Sequence, residues 1–146
     1  MAAPRLAYPQ TRYDPSPFVD LANDAERERL SPAALGAFLN IMARWQVRDE
    51  DARALLGGVS NGRYYELKKR PARTLAADTL LRVSYLVGIF KALHILHGEA
   101  LADEWVRLPN TNRVFGGRTP LAFMRDGGVP AMQLVRRLLD ARRGGL

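Results

Sequence analysis

The chain has 146 residues, 22 Lys+Arg against 15 Asp+Glu, a formal net charge of +7 and no cysteine. That length suits one domain, or two small helical subdomains sharing a core. A hydrophobic share of 47% and a charged share of 25% exclude general disorder, and the lack of cysteine excludes a disulfide scaffold, thiolate chemistry and any cysteine zinc site.

Residues 1–30 read as a proline-rich arm. Pro4, Pro9, Pro15 and Pro17 block regular structure, and no apolar segment of a secretory signal is present. Asn23 to Leu30 can form a short helix before the main body. Ser31-Pro32 reads as the start of a helix, with Ser31 as N-cap and Pro32 at its first position. Leu35, Phe38, Leu39, Met42 and Trp45 then recur at helical spacing. Asp49-Glu50-Asp51 supplies a negative first turn to a short helix that Gly57-Gly58 ends. Ser60 caps the next helix, which runs to about Lys69 before Pro71.

A longer helix is expected from Ala77 to His97, apolar nearly all round, so either central or in a dimer interface. Its most apolar stretch, Val83 to Phe90, is far short of the about 20 residues of a membrane span. Glu99 to Leu108 reads as a helix stopped by Pro109. Thr119-Pro120 opens another that Gly127-Gly128 ends, and Pro130 opens the last, to about Arg143. No segment shows strand alternation. The expectation is an all-α fold of about seven helices, in a cytoplasmic protein without a membrane segment.

The excess charge is clustered. Residues 60–82 carry six basic and two acidic groups, and residues 107–146 carry eight arginines against Asp126 and Asp140. Residues 49–70 have the anatomy of a helix-turn-helix: a short scaffold helix, a glycine turn and a capped second helix. In such a unit the second helix meets DNA. Asn61 and Arg63 suit bidentate contacts to adenine and guanine edges. Tyr64 or Tyr65 is placed to reach a phosphate while the other packs inward with Leu67. Lys68, Lys69 and Arg70 suit backbone phosphates, and Ser60 caps the helix that carries them all. A plain helical hairpin with a solvated basic face is the competing reading, and Gly62 in the first turn weakens the helix by about 0.5–1 kcal/mol relative to Ala. His94 and His97 lie three apart without a third ligand, so neither a metal site nor any other cofactor is expected. No nucleophile triad, phosphate-cradling loop or carboxylate pair is visible, so catalysis is not expected.

Residues 101–110, reading Leu-Ala-Asp-Glu-Trp-Val-Arg-Leu-Pro-Asn, resemble the Trp-then-Pro-Asn element of the Xre/MbcA/ParS antitoxin family. Phe115-Gly116-Gly117-Arg118-Thr119-Pro120-Leu121 resembles a turn of the same family, and a last helix ending Leu138-Leu139-Asp140-Ala141-Arg142-Arg143-Gly144-Gly145 resembles its C-terminus. Upstream, Tyr64 to Lys68 and Leu75 to Leu86 resemble its recognition helix and the helix that follows. The likeness covers about residues 33–146. It implies an N-terminal Xre-like helix-turn-helix and dimerisation region over 31–97, and a toxin-binding domain over 98–146. It further implies an antitoxin of a type II toxin–antitoxin operon, a homodimer that binds its own operator DNA and occludes the active site of a cognate RES-type toxin. Such toxins consume NAD or transfer ADP-ribose. The residues that would meet the toxin are Trp105, Asn110, Arg113, Arg118, Arg136, Leu139, Arg142, Arg143 and the slim tail Gly144, Gly145 and Leu146, with Trp105 also suited to the core. The competing functions are a helix-turn-helix regulator with a different C-terminal partner or ligand, and a neutraliser that no longer binds DNA.

Overall fold

The computed structural model describes residues 20–70 and 74–144. The expectations for the proline arm before Asp20, for Pro71 and for Gly145 and Leu146 lie outside the described residues. Among those residues there are six α-helices and no strand: α1 (Asp24–Arg44), α2 (Asp49–Leu55), α3 (Asn61–Lys69), α4 (Ala77–Leu96), α5 (Glu99–Glu104) and α6 (Pro120–Arg143). Single 3-10 turns at Trp105–Arg107 and Arg113–Phe115 join α5 to α6. The segment expected to continue as helix to Leu108 therefore tightens after Glu104.

The helix count is six rather than about seven because the two helices expected on either side of Gly127-Gly128 run together as α6. The element is bent, not straight: Gly128 has φ 65 and ψ −146, a conformation closed to residues with a Cβ.

A second correction concerns Ser31 and Pro32. They lie inside α1 and do not open it. Asn23 is the N-cap, its side-chain oxygen accepting from the backbone N–H groups of Ala25 and Glu26 at 2.9 and 3.2 Å. Pro32 cannot donate to the carbonyl four residues back. Next to it, Ser31 donates its hydroxyl to the Arg27 carbonyl at 2.5 Å and accepts from the Leu75 N–H at 2.8 Å. The fully buried serine thus ties α1 to the strand of chain entering α4.

α4 is central. It packs against α1 on one side and against α5 and α6 on the other, which is why its sequence is apolar all round. By length and by a mean hydropathy of 1.5 over 18 residues it would suffice to cross a membrane; here Leu80, Val83, Leu86, Ile89, Ala92 and Leu93 are buried among the other helices. Leu35 and Phe38 of α1 and Trp45 at its C-cap are fully buried, as their spacing predicts. A smaller apolar cluster of Leu35, Leu67, Leu75 and Leu80 joins α1, α3 and the start of α4.

Candidate nucleic-acid and partner interfaces

α3 sits on the body through one face. Tyr64 and Leu67, three residues apart, are buried, and this leaves Asn61, Arg63, Tyr65, Lys69 and Arg70 exposed. Ser60 caps the helix as expected, its hydroxyl accepting from the Arg63 N–H at 3.1 Å. Among the described residues Arg63, Lys69 and Arg70 have no acidic partner, and the Lys69 ammonium lies 5.0 Å from the Tyr65 ring centre. The outer face thus presents an amide, two guanidinium groups, an ammonium and an exposed aromatic ring, a set able to meet base edges and phosphates.

Two of the residues expected to touch DNA are engaged elsewhere. Tyr64 is 3% exposed, and burial together with the nearby Asp49 charge pushes its phenol up from the usual value. Of the two tyrosines left open by the sequence, Tyr65 is the one that faces solvent and Tyr64 the one that packs inward with Leu67. The signal was the three-residue step from Tyr64 to Leu67, which puts both on one face. Lys68 donates to both carboxylate oxygens of Asp49, at 3.0 and 3.1 Å, and lies 4.6 Å from the Tyr64 ring centre. It braces α3 to the start of α2.

The C-terminal region is built on a stack of aromatic rings. Trp105 meets Phe115 edge-on at 6.0 Å between centres, and Phe115 meets Phe123 edge-on at 5.3 Å. Trp105 is therefore a core residue, and so is Leu139, which is fully buried; neither presents a side chain to a partner. Asn110 turns inward on its own loop, its oxygen accepting from the Asn112 N–H at 2.9 Å, and Asn112 in turn caps the following 3-10 turn through Val114 N–H at 3.0 Å. On the outer surface the structure puts Leu101, Leu108, Val114 and Leu134, all more than 40% exposed or at that value.

The arginines of this region divide in two. Arg118 faces Asp126 at 3.5 Å, and Arg136 and Arg143 converge on Asp140 at 3.0 and 3.8 Å. Arg136 also lies across α4 at Gly88, where a Cβ would sit 1.4 Å from the guanidinium; only glycine lets that side chain pass. Arg113, Arg137 and Arg142 are exposed and, among the described residues, have no acidic partner. Gly144 ends α6 in the open.

Two polar joints hold the regions together. Arg125 of α6 reaches the nearly buried Asp51 of α2 at 3.3 Å while also bonding its neighbour Asp126 at 2.9 Å. The Asp126 carboxyl is held below its ordinary value by that hydrogen bond from Arg125, and the Arg125 guanidinium is raised. At the other end Asp103 of α5 takes Arg44 of α1 at 2.9 Å and faces His94 of α4 at 3.1 Å. His94 Nδ1 lies 2.9 Å from the Phe90 carbonyl, which can only accept, so that nitrogen carries a proton. His94 is thus part of a joint, and among the described residues no cluster of three metal-ligating side chains exists.

An all-helical body with an exposed basic helix, its C-terminal aromatic rings joined to the core of the other helices, is the class of protein these features define. Residues 91–145 match the family described as antitoxin Xre/MbcA/ParS C-terminal toxin-binding domain. The chain is also 42% identical over 115 residues to uncharacterized protein y4oB of Sinorhizobium fredii (strain NBRC 101917 / NGR234), covering 78% of this chain and 87% of that protein. It belongs to one family with that relative, and its C-terminal region is similar to the toxin-binding domain of the Xre/MbcA/ParS antitoxins. No solved structure matches it. The matched region begins at Lys91, inside α4, so the central helix belongs to both halves of the molecule.

Proposed function

We propose that this antitoxin neutralises a RES-type toxin by covering the toxin's active site with α6 and the loop before it, and represses its own operon through α2 and α3 acting as a helix-turn-helix. The observation that carries the first part is the toxin-binding domain over residues 91–145. A RES-type toxin consumes NAD or transfers ADP-ribose from it, so the site to be covered accepts a pyrophosphate. Arg113, Arg137 and Arg142, without an acidic partner among the described residues, suit polar and acidic groups at the mouth of such a cleft, and the exposed Val114 and Leu134 suit its apolar rim. The antitoxin acts as a binder, without catalysis or cofactor, in the cytoplasm and as a homodimer. Residues 31–97 carry DNA binding and dimerisation, and 98–146 carry toxin binding.

Support for DNA binding comes from the outward set Asn61, Arg63, Lys69 and Arg70, with Tyr65 rather than Tyr64 as the outward tyrosine. If each protomer neutralises about four phosphates, the logarithm of dimer affinity falls with that of salt at a slope of about −7. A flat salt response removes the DNA claim and leaves a neutraliser alone.

Co-expression with the product of the adjacent gene tests the whole reading. Growth and cellular NAD are both restored if the neighbour is a RES-type toxin and this chain neutralises it. Failure of the neighbour to harm cells overturns the toxin assignment. Arg63→Ala with Lys69→Ala abolishes operator binding and leaves neutralisation intact, whereas deletion of residues 140–146 does the reverse.

A further inference from the structure

α1 ends in a left-handed residue, and the turn that follows opens a cleft beside the basic helix. The Gln46 N–H donates to the Ala43 carbonyl at 3.1 Å and the Val47 N–H to the Met42 carbonyl at 2.9 Å, a helix ending that glycine commonly closes. Here Gln46 takes the position, with φ 53, and brings an exposed side-chain amide where glycine has none. Between this turn, the start of α2 and one side of α3 lies a cleft of about 340 Å³. Its apolar walls are Leu39, Met42 and Val47, and its polar walls are Gln46, Asp49, Tyr64 and Lys68. Apolar surface with a few polar groups close together is the make-up of a small-molecule site.

Tyr64 brings an uncommitted donor to this cleft. It is 3% exposed, and its hydroxyl has no hydrogen-bond partner among the described residues. Burial and the Asp49 charge push the phenol up from its usual value, so it keeps its proton and has an O–H to donate. Buried tyrosine hydroxyls normally find a partner.

We propose that the cleft binds a free α-amino acid with an apolar side chain: its ammonium on Asp49, its carboxylate on Lys68 and the Tyr64 hydroxyl, and its side chain on Leu39, Met42 and Val47. The charges select this class. Asp49 and Lys68 neutralise each other at 3.0 and 3.1 Å. An anion that took Lys68 would leave Asp49 unpaired, and an amine that took Asp49 would leave Lys68 unpaired. A ligand that carries both charges splits one ion pair and forms two. It must carry them close together, as an α-amino acid does on one carbon, because the pair it enters is in contact. Lys68 has the flexible stem to draw back and admit it. The volume lies near the lower end of the roughly 300–1,000 Å³ of ligand pockets, which fits one amino acid and not a nucleotide. Once occupied, the direct brace between α2 and α3 becomes one that runs through the ligand, which resets the spacing of the two helices. A consequence for operator affinity rests on the proposed DNA binding; the binding of the amino acid does not.

The test titrates the isotope-labelled full chain, without DNA or toxin, with L-leucine and reads the backbone amide shifts. The expected result is saturable shifts at Val47, Asp49 and Lys68, with the α6 amides unmoved. Isoamylamine and isocaproate keep the leucine side chain and one charge each, and they bind at least about tenfold more weakly, the loss of one charge-assisted contact. Glycine, with both charges and no side chain, is weakened as much. Asp49→Asn and Lys68→Met each weaken leucine binding to the same degree and leave the rest of the spectrum in place, since both side chains are well exposed. Tyr64→Phe keeps the ring in the core and weakens leucine binding several-fold. Isocaproate binding as tightly as leucine means a plain anion site, isoamylamine binding as tightly means a plain cation site, and either overturns the proposal. So does the lack of a saturable shift with leucine, methionine and phenylalanine alike.

Discussion

The basic helix α3 and the arginine-rich C-terminal helix α6 look alike in sequence and differ in structure. On α3 Arg63, Lys69 and Arg70 point outward without acidic partners among the described residues, so their charge is available to a polyanion. On and around α6 Arg118, Arg125, Arg136 and Arg143 each face Asp126, Asp51 or Asp140 within 4.0 Å. A basic cluster is thus an open cationic surface in one region and mainly a set of clasps in the other. The difference follows from the spacing of acids: Asp140 lies four residues after Arg136 and three before Arg143, one helical turn either way.

The sharpest way to separate the regions is to remove the C-terminal core. Phe115→Ala deletes the middle ring of the Trp105–Phe115–Phe123 stack and costs about 3–5 kcal/mol, as for other buried aromatics. Denaturant unfolding measures it. Under the proposed function toxin binding weakens more than DNA binding, because Phe115 lies in the C-terminal region although it shares a core with Tyr64 of α3. A cost under about 1 kcal/mol would show that the stack is not what holds this domain together.

Next comes the joint between them. Asp51→Asn removes the charge that Arg125 and Arg48 face, at 3.3 and 3.6 Å, and costs about 1–3 kcal/mol. Combined with Arg125→Met it costs less than the sum of the two single changes if the contact is direct. Additive losses would mean that α2 and α6 are held only by apolar packing.

Much of the fold was legible in sequence because helix signals are local. The caps Ser60 and Thr119, the apolar face of α1 and the all-round apolar α4 each stand as read. Ser31-Pro32 misleads because a Ser-Pro pair looks the same at a helix start and inside a helix; the Leu75 N–H that draws Ser31 inward lies 44 residues away. The site was less legible for the same reason. Nothing local says that Lys68 is held by Asp49, 19 residues earlier, or that Arg136 crosses α4 at Gly88. Leu139 and Trp105 carry the periodicity of a core but also the chemistry of an interface anchor, and only packing separates these.

Acid and base act on the two regions separately. The lowered Asp126 carboxyl contributes stability that is present above its unfolded value of about 4 and is lost as pH falls through the lower folded value. The raised Tyr64 phenol contributes stability fully present below about pH 10, lost as pH rises through the higher folded value. Stability profiles of Asp126→Asn and Tyr64→Phe check this: the first flattens the acid limb and the second the alkaline limb, each leaving the other unchanged.

The smallest effect tests the distinction within α3 itself. Lys68 and Lys69 are neighbours of equal charge, so a purely electrostatic view of the basic face gives them equal weight. Lys68 is bound to Asp49 and stacked on Tyr64, and binding a phosphate would require it to leave both. Lys69 covers only Tyr65 and is free to meet one. Lys68→Met therefore costs about 0.5 kcal/mol of stability, as for a half-exposed ion pair, and, under the proposed function, leaves the salt slope of operator binding nearly unchanged. Lys69→Met leaves stability unchanged and lowers that slope by about one per protomer. Equal slopes for the two variants would mean that Lys68 abandons its brace when DNA arrives, and that α2 and α3 shift against each other on binding.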